Sequence, residues 1–169
     1  MIVRTAREQA FPGFLDLAAE VEQWFGPMVG EPGFHQAVRA HVELGTALVA
    51  VAGHSSSSPL LGGLLFGVES PTLRLHWLVV SEAARGRGVG RALVDGATNR
   101  LDPAIAGAAS AVVEVVTFGV DHPGAADSGA RVFYERLGFL PAEAAEPGPE
   151  GGSRQVYRRG LNSAAPGGR

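Results

Sequence analysis

Arg85, Gly86, Arg87, Gly88, Val89 and Gly90 stand between an apolar run at residues 75–80 and a helix-patterned segment at 89–101. Where a strand ends, the backbone turns and a helix begins, the first helical amides have no intrahelical acceptors. Those donors suit an anion, and the helix dipole adds about half a positive charge at the same end. Glycines remove the Cβ atoms that would keep a phosphate away, and they open backbone angles closed to other residues. Arg85, Arg87 and Arg91 gather positive charge here, although the chain as a whole carries a net charge of -3. The pattern reads as a phosphate cradle. Its spacing excludes two common forms: a dinucleotide G-x-G-x-x-G starting at Gly86 needs glycine where Arg91 stands, and the G-K-[ST] form needs a lysine, which the chain lacks.

A second group with chemical potential lies just upstream. Strand alternation puts His76 on the same side as Leu78 and Val80. With an ordinary pKa near 6.5, an imidazole there can take a proton from an ammonium, directly or through water. The other reading is a hydrogen-bonded core histidine. Glu114, in a later β-branched run, is the rival base, or else the buried partner of an arginine.

These groups need elements to hold them. Residues 2–6 read as a strand, and residues 11–25 carry Phe14, Leu15, Leu17, Ala18, Val21, Trp24 and Phe25 near the helical period. Gly26-Pro27 ends that helix, and residues 33–44 form a second, with Phe34, Ala37, Val38 and His41 along one side. Runs at 46–52 and 60–68 flank a turn rich in serine, predicting an antiparallel hairpin. A third run at 72–80 leads into the glycine loop and its helix. A strand at 111–117, a helix from about 127 to 137 closed by Gly138, and a strand from Phe139-Leu140 follow. Residues 143–153 read as a mobile loop before a last strand at 154–160, and 162–169 as a disordered tail. The length predicts one domain, residues 1–161, large enough to bury about two-thirds of its unfolded surface.

The spacing Arg85-x-x-Gly88-x-Gly90, beginning five residues after Val80, resembles motif A of the GNAT superfamily, the acyl-CoA-dependent N-acyltransferases. A second block, Ala130-Arg131-Val132-Phe133-Tyr134-Glu135-Arg136-Leu137-Gly138-Phe139, is similar to that family's motif B, A-x-x-F-Y-E-x-L-G-F. The blocks lie in the family's order with a β-branched strand between them, and the resemblance covers roughly residues 73–141. It implies an α+β sandwich with the GNAT fold: a mostly antiparallel mixed sheet of six to seven strands, about four helices on both faces, and a parallel pair that splays apart at the cofactor site.

The resemblance also implies roles. Acetyl-CoA is the expected co-substrate, with no metal. Backbone groups of Leu78, Val79 and Val80 would pair with the pantetheine arm like an added strand, one amide facing the thioester carbonyl oxygen. Amides of Gly86, Arg87, Gly88, Val89, Gly90 and Arg91, beside Arg85, would hold the pyrophosphate. Tyr134 takes the family's place for a general acid, a phenol whose pKa of about 10 suits protonating a thiolate. Ala126, Ala130, Phe133 and Leu137 mark that helix's apolar face and leave Tyr134 at its edge; the alternative is a packed aromatic. Some GNAT arylalkylamine acetyltransferases look similar in carrying a histidine at the position of His76. Where the family often has asparagine three residues before Ala130, this chain has Asp127, which the resemblance implies as a cofactor-binding position but which as a carboxylate only accepts and is also readable as a helix N-cap.

The implied reaction is direct transfer of an acetyl group from acetyl-CoA to a primary amine in a ternary complex, with a small-molecule acceptor favoured. The alternatives are a protein or peptide N-acetyltransferase and a non-catalytic acyl-CoA-binding module in which His76 and Tyr134 only pack. Residues 11–44 and the loop at Asp121-His122-Pro123 would set the acceptor, although that loop also reads as a polar turn held by Pro123. Trp24, Phe25, Phe34, Trp77 and Glu22 either line such a pocket or belong to the core. A homodimer is compatible with the same reading.

Composition narrows the field further. Cysteine is absent, so there is no disulfide framework and no thiolate zinc site, and a reducing cytoplasmic setting is expected. The first residues lack the apolar core of a signal peptide, and the longest apolar runs fall short of the ~20 residues that span a bilayer, pointing to a soluble protein off the membrane. All fourteen basic residues are arginine, which closes Schiff-base chemistry on lysine. They form no basic stripe interleaved with aromatics, so nucleic acid is not an expected partner. His35, His41 and His54 lack metal-ligand spacing, and Ser55 lacks the trailing glycine of G-x-S-x-G, leaving no metal site and no serine triad.

Overall fold

A computed structural model describes residues 1–55, 57–149 and 151–161. The expected disordered tail, 162–169, lies outside the described residues. Seven strands, β1 (Ile2–Thr5), β2 (Ala47–Val51), β3 (Leu60–Glu69), β4 (Thr72–Val80), β5 (Val112–Phe118), β6 (Leu140–Ala145) and β7 (Arg154–Gly160), form one sheet in the order β1-β2-β3-β4-β5-β7-β6. The β4–β5 pair is parallel, whereas β1–β2, β2–β3, β5–β7 and β6–β7 are antiparallel. The fold is therefore α+β with a mixed sheet, and the predicted hairpin of β2 and β3 is present.

Helices number seven among the described residues rather than about four: α1 (Phe11–Ala19), α2 (Glu22–Phe25), α3 (Pro32–Leu44), α4 (Val89–Thr98), α5 (Pro103–Ala106), α6 (Pro123–Asp127) and α7 (Ala130–Arg136). The helix expected at 11–25 is broken in two, the one expected from about 127 begins at Ala130, and α5 and α6 lie outside the expected four. After α1 the backbone bonds tighten to three-residue steps, Glu20 N to Leu17 O and Val21 N to Ala18 O. Glu20 turns its carboxylate to Ser81 Oγ and Glu82 N at 3.2 and 2.9 Å. Between α6 and α7, Gly129 adopts φ +68° and Ser128 Oγ donates back to Gly124 O at 2.5 Å. A left-handed residue cannot continue a helix, so the chain restarts at Ala130.

The chain divides into two compact units, residues 1–67 with 76–100, and residues 68–75 with 101 onward. In the first, all five residues of β2 are buried. Phe14, Val38, Ala6 and Leu65 pack with Ala47 and Val49, while a Cβ placed on Gly96 of α4 would lie 2.9 Å from Val3 and 3.4 Å from Leu48. Covered on both faces, β2 reads as a continuous apolar run without alternation. Gly62 and Gly63 of β3 admit the same two layers. A Cβ on Gly63 would meet Phe14 at 2.7 Å, and one on Gly62 would meet Val89 at 3.0 Å and Leu93 at 3.1 Å.

In the second unit, the parallel ladder runs from Thr72↔Val112 to Leu75↔Val115. On the other side β5 pairs with β7 from Val112↔Gly160 to Phe118↔Arg154. Strand β6 continues through Glu143 and Ala145, paired to β7 after a register shift between Pro141 and Ala144, so the expected mobile loop at 143–153 gives its first residues to a strand. Under α7 lie Tyr157, Phe118 and Phe139, all fully buried. Arg131 Nη1 donates to Phe118 O and Gln155 Oε1, both at 2.8 Å, and Arg159 Nη1 donates to Leu137 O at 2.8 Å, tying α7 and the turn after it to this sheet.

Candidate active site

The glycine loop is built from the backbone outward. Strand β4 ends at Val80, Ser81 N bonds Leu61 O at 2.9 Å, and one 3₁₀ turn, Glu82–Ala84, leads to Arg85. Glu20 fixes this turn from α1's end through the two bonds described above. Gly86 and Gly88 then take φ +77° and +78°. Both are left-handed angles that cost another residue about 1–2 kcal/mol. No atom lies within 4 Å of a Cβ placed on either glycine, so the loop borders open space.

Gly88 is the N-cap of α4, and no side chain caps that end. The first bond inside the helix runs from Ala92 N to Gly88 O, so the amides of Val89 and Gly90 look to acceptors outside it. A ten-residue helix with an uncapped start and left-handed glycines beside open space fits an anion. The three arginines here are exposed. Arg85 is drawn back onto the turn, its Nε donating to Val80 O at 3.4 Å and its guanidinium 5.7 Å from the Trp24 ring centre. Of the strand residues leading in, Val79 is buried against Leu17 and Val21, and Leu78 and Val80 are half-buried.

His76 is exposed on β4, facing away from buried Leu73, Leu75 and Val79. Alternation holds, and the reading of a core histidine does not. A residue from a different element meets it: His41, in the last turn of α3, brings Nε2 within 3.2 Å of His76 Nδ1. The two rings are edge-on with centres 5.1 Å apart. His41 Nδ1 lies 2.7 Å from Thr46 Oγ1. Burial, and then the charge of His76, holds the His41 pKa below its ordinary value, while the Phe66 backbone acts in the opposite sense. In the sequence His41 stands on an apolar helix side and lacks metal-ligand spacing, and the contact that pairs it with His76 spans 35 residues.

Glu114 lies in an ion-pair ladder that crosses the sheet. Arg158 Nε donates to its Oε2 at 2.7 Å, and Arg74 Nε stands 3.5 Å from its Oε1. Arg74 also reaches Glu69 at 2.9 Å, and Arg158 binds Glu143 through both terminal nitrogens. Five side chains thus alternate in sign across β3, β4, β5, β7 and β6. Arg158 holds the Glu143 carboxyl down to about 2, and the two glutamates push the Arg158 pKa up. This is the arginine-paired reading of Glu114.

Tyr134 is 6% exposed, the buried residue of α7, with Leu137 buried after the helix. Ala126 is exposed, and Ala130 and Phe133 are only half-buried, so the apolar face turns further toward Tyr134 than expected. The break at Gly129 resets the helical phase. Rings of Phe133, Phe139 and Tyr157 stand edge-on to Tyr134 at 5.0, 5.5 and 6.5 Å. Burial raises its pKa, keeping it a phenol. Asp127 is not an N-cap: it is the exposed last residue of α6, and Gly129 occupies the N-cap of α7. His122 is buried, its Nδ1 accepts from Gly124 N at 2.8 Å, and its ring stacks on Phe118 at 4.3 Å, while Asp121 accepts from Ser153. That loop is a built turn. Phe34 and Trp77 pack on the Phe14 cluster, Trp24 and Phe25 on the Leu17 cluster, and Glu22 accepts from Met28 N.

The family model for the acetyltransferase (GNAT) domain matches residues 39–141. The chain belongs to the GNAT acetyltransferases. The match spans His41, His76, the glycine loop and Tyr134. No curated protein matches the sequence. Solved structures share the GNAT fold at low identity. An aminoglycoside 6'-N-acetyltransferase complexed with coenzyme A is 17% identical with TM-score 0.68, over 97% of this chain and 99% of that one. The ribosomal-protein-S18-alanine N-acetyltransferase from Escherichia coli is 14% identical with TM-score 0.61, over 98% and 96%. A GNAT-family acetyltransferase from Bacillus cereus is 15% identical with TM-score 0.64, over 94% and 96%. Among the described residues of this GNAT acetyltransferase, no helix is long and apolar enough to cross a membrane, and no group of three or more His, Asp or Glu is arranged to hold a metal ion.

Proposed function

We propose that residues 1–161 act as one catalytic domain that transfers an acetyl group from acetyl-CoA directly to a primary amine, with a small molecule as the favoured acceptor. The observation that carries this reading is the loop at 85–91: left-handed Gly86 and Gly88 beside open space, at the uncapped start of α4. Amides of Gly86, Arg87, Gly88, Val89, Gly90 and Arg91 would bind the pyrophosphate, with Arg87 and Arg91 adding charge. The edge of β4 at Leu78, Val79 and Val80, past the last parallel pair at Leu75↔Val115, would take the pantetheine arm as an added strand. When bound, acetyl-CoA supplies the acetyl group as a thioester, whose carbon the amine attacks and whose sulfur leaves as the thiol.

His76 is the base we favour over Glu114, because its imidazole is exposed while Glu114 is held by Arg158 and Arg74. It would accept the proton that an ammonium must lose before its nitrogen can attack. Tyr134, kept protonated by burial, would hold the proton needed at the departing sulfur. A protein N-terminus is the second acceptor class, favoured by the likeness to the ribosomal-protein enzyme. Release of CoA with a panel of small primary amines and of peptides tests both. Turnover with amines that is lost in Tyr134→Phe supports the proposal, and turnover restricted to peptides moves the acceptor to the second class. Acetyl-CoA binding without CoA release from either panel leaves a binding module.

A further inference from the structure

The reaction as outlined uses His76 but not the histidine that meets it, His41. Its local construction is explicit. Gly45 follows α3 with φ +74°, and the chain turns back so that Thr46 N bonds His41 O at 2.9 Å. That turn sets the Thr46 hydroxyl beside the His41 ring. Thr46 Oγ1 lies 3.4 Å from His41 O, to which it donates, and 2.7 Å from His41 Nδ1. A hydroxyl has one proton, and placing it on His41 O makes the oxygen an acceptor toward Nδ1; that placement is the premise of the proposal that follows. His41 then carries its hydrogen on Nδ1 and presents a lone pair at Nε2. In that arrangement His76 Nδ1, 3.2 Å away, would donate to the lone pair, leaving the His76 lone pair at Nε2. Gly67 makes the ring's position possible, since a Cβ there would lie 2.8 Å from His76 Cε1.

We propose that His41 is a positioning residue for His76: locked by Thr46, it accepts from His76 Nδ1 and so sets His76 Nε2 as the proton-accepting atom. The catalytic part of this inference rests on the acetyl-transfer reading; the tautomer part does not. As His76 Nε2 takes a proton, the bond from Nδ1 to His41 becomes charge-assisted and stronger, which favours the protonated ring. His41 stays neutral during that step, because a second positive charge 3.2 Å away is disfavoured. His41 is acted on by the charge of His76, beside the uncharged Thr46 hydroxyl and a hydrogen bond with the Phe66 backbone.

Long-range ¹H–¹⁵N spectra of the uniformly labelled protein, with each histidine assigned by substitution, test the lock without any reference to turnover. The expected result at high pH is hydrogen on Nδ1 of both His41 and His76. In His41→Leu, the His76 titration should move to lower pH, and in His41→Gln, whose amide oxygen keeps an acceptor in place, it should return toward wild type. With the amine that gives best turnover, His41→Leu should lower kcat ~10-fold or more, up to the ~10²–10⁴-fold a general base supplies. It should also shift the acid limb of the pH profile, leave KM for acetyl-CoA unchanged, and be rescued by His41→Gln. Hydrogen on Nε2 of His41 in the wild type, or a His76 titration unmoved in His41→Leu, overturns the proposal. Failure of the wild type to bind acetyl-CoA sinks the acetyl-transfer reading instead, and the spectra still decide the pair.

Discussion

Replacing Gly88 with alanine, beside a matched replacement of Gly45, separates backbone strain from anion binding. Gly88 has φ 78°, ψ 11° and Gly45 has φ 74°, ψ 18°, so both sit in one left-handed well. Neither would bring an added Cβ within 4 Å of another atom, so no clash enters either variant. An L-residue in this well costs about 1–2 kcal/mol. Reduced freedom of the unfolded chain returns roughly 0.4–1 kcal/mol of that. The net destabilisation is about 1 kcal/mol in each, a fall of ~2–4 °C in Tm for a chain of this size. The two variants should therefore melt alike. They should bind differently, because only the Gly88 methyl enters the space an anion needs: we expect Gly88→Ala to weaken acetyl-CoA binding at least ~10-fold, about 1.4 kcal/mol, and Gly45→Ala to leave it unchanged. Differential scanning fluorimetry and isothermal titration calorimetry read the two quantities. Equal acetyl-CoA affinity in both variants refutes the cradle.

Tyr134→Phe keeps the ring against Phe139 and Tyr157, so Tm and acetyl-CoA affinity should hold while kcat falls ~10²–10⁴-fold; unchanged kcat removes Tyr134 as the acid. Because burial raises the Tyr134 pKa, its proton stays on through the working range, and kcat should show no basic limb from this residue below about pH 10. The Glu143 carboxyl is held by Arg158 at about 2, below its ordinary value, so its contribution to stability is present above about pH 4.3 and lost as pH falls toward 2. Glu143→Gln should flatten Tm against pH in that window, and added salt should weaken the effect, since the pair is exposed; a slope equal to wild type contradicts the ladder. His41, its pKa lowered first by burial, contributes stability above about pH 6.5 that is lost as pH falls through its folded value. His41→Gln should reduce the loss of Tm below pH 6.5, as followed by thermal melts, and an unchanged acid slope speaks against a buried neutral ring.

What the sequence disclosed depended on how local the cause was. Gly86 and Gly88 were legible because a left-handed turn and a helix start are decided by single residues. The alternation along β4 was legible because period two is a property of one strand. The break after Ala19 was hidden, since Trp24 and Phe25 keep the helical period beyond it while its partners Ser81 and Glu82 lie far along the chain. Ser128-Gly129 did offer a signal, a turn-forming pair inside a helical pattern, and reading it would have restored Tyr134 to the buried face. The His41–His76 contact and the ladder from Glu69 to Glu143 are products of sheet order and helix packing. No spacing rule within one segment predicts them.

The central claim is that this GNAT acetyltransferase takes acetyl-CoA at the loop of 85–91, and calorimetric titration of the wild type with acetyl-CoA, CoA and NAD tests it most directly. The account predicts micromolar, one-to-one binding of acetyl-CoA and CoA and none of NAD; the absence of any acetyl-CoA binding would contradict it.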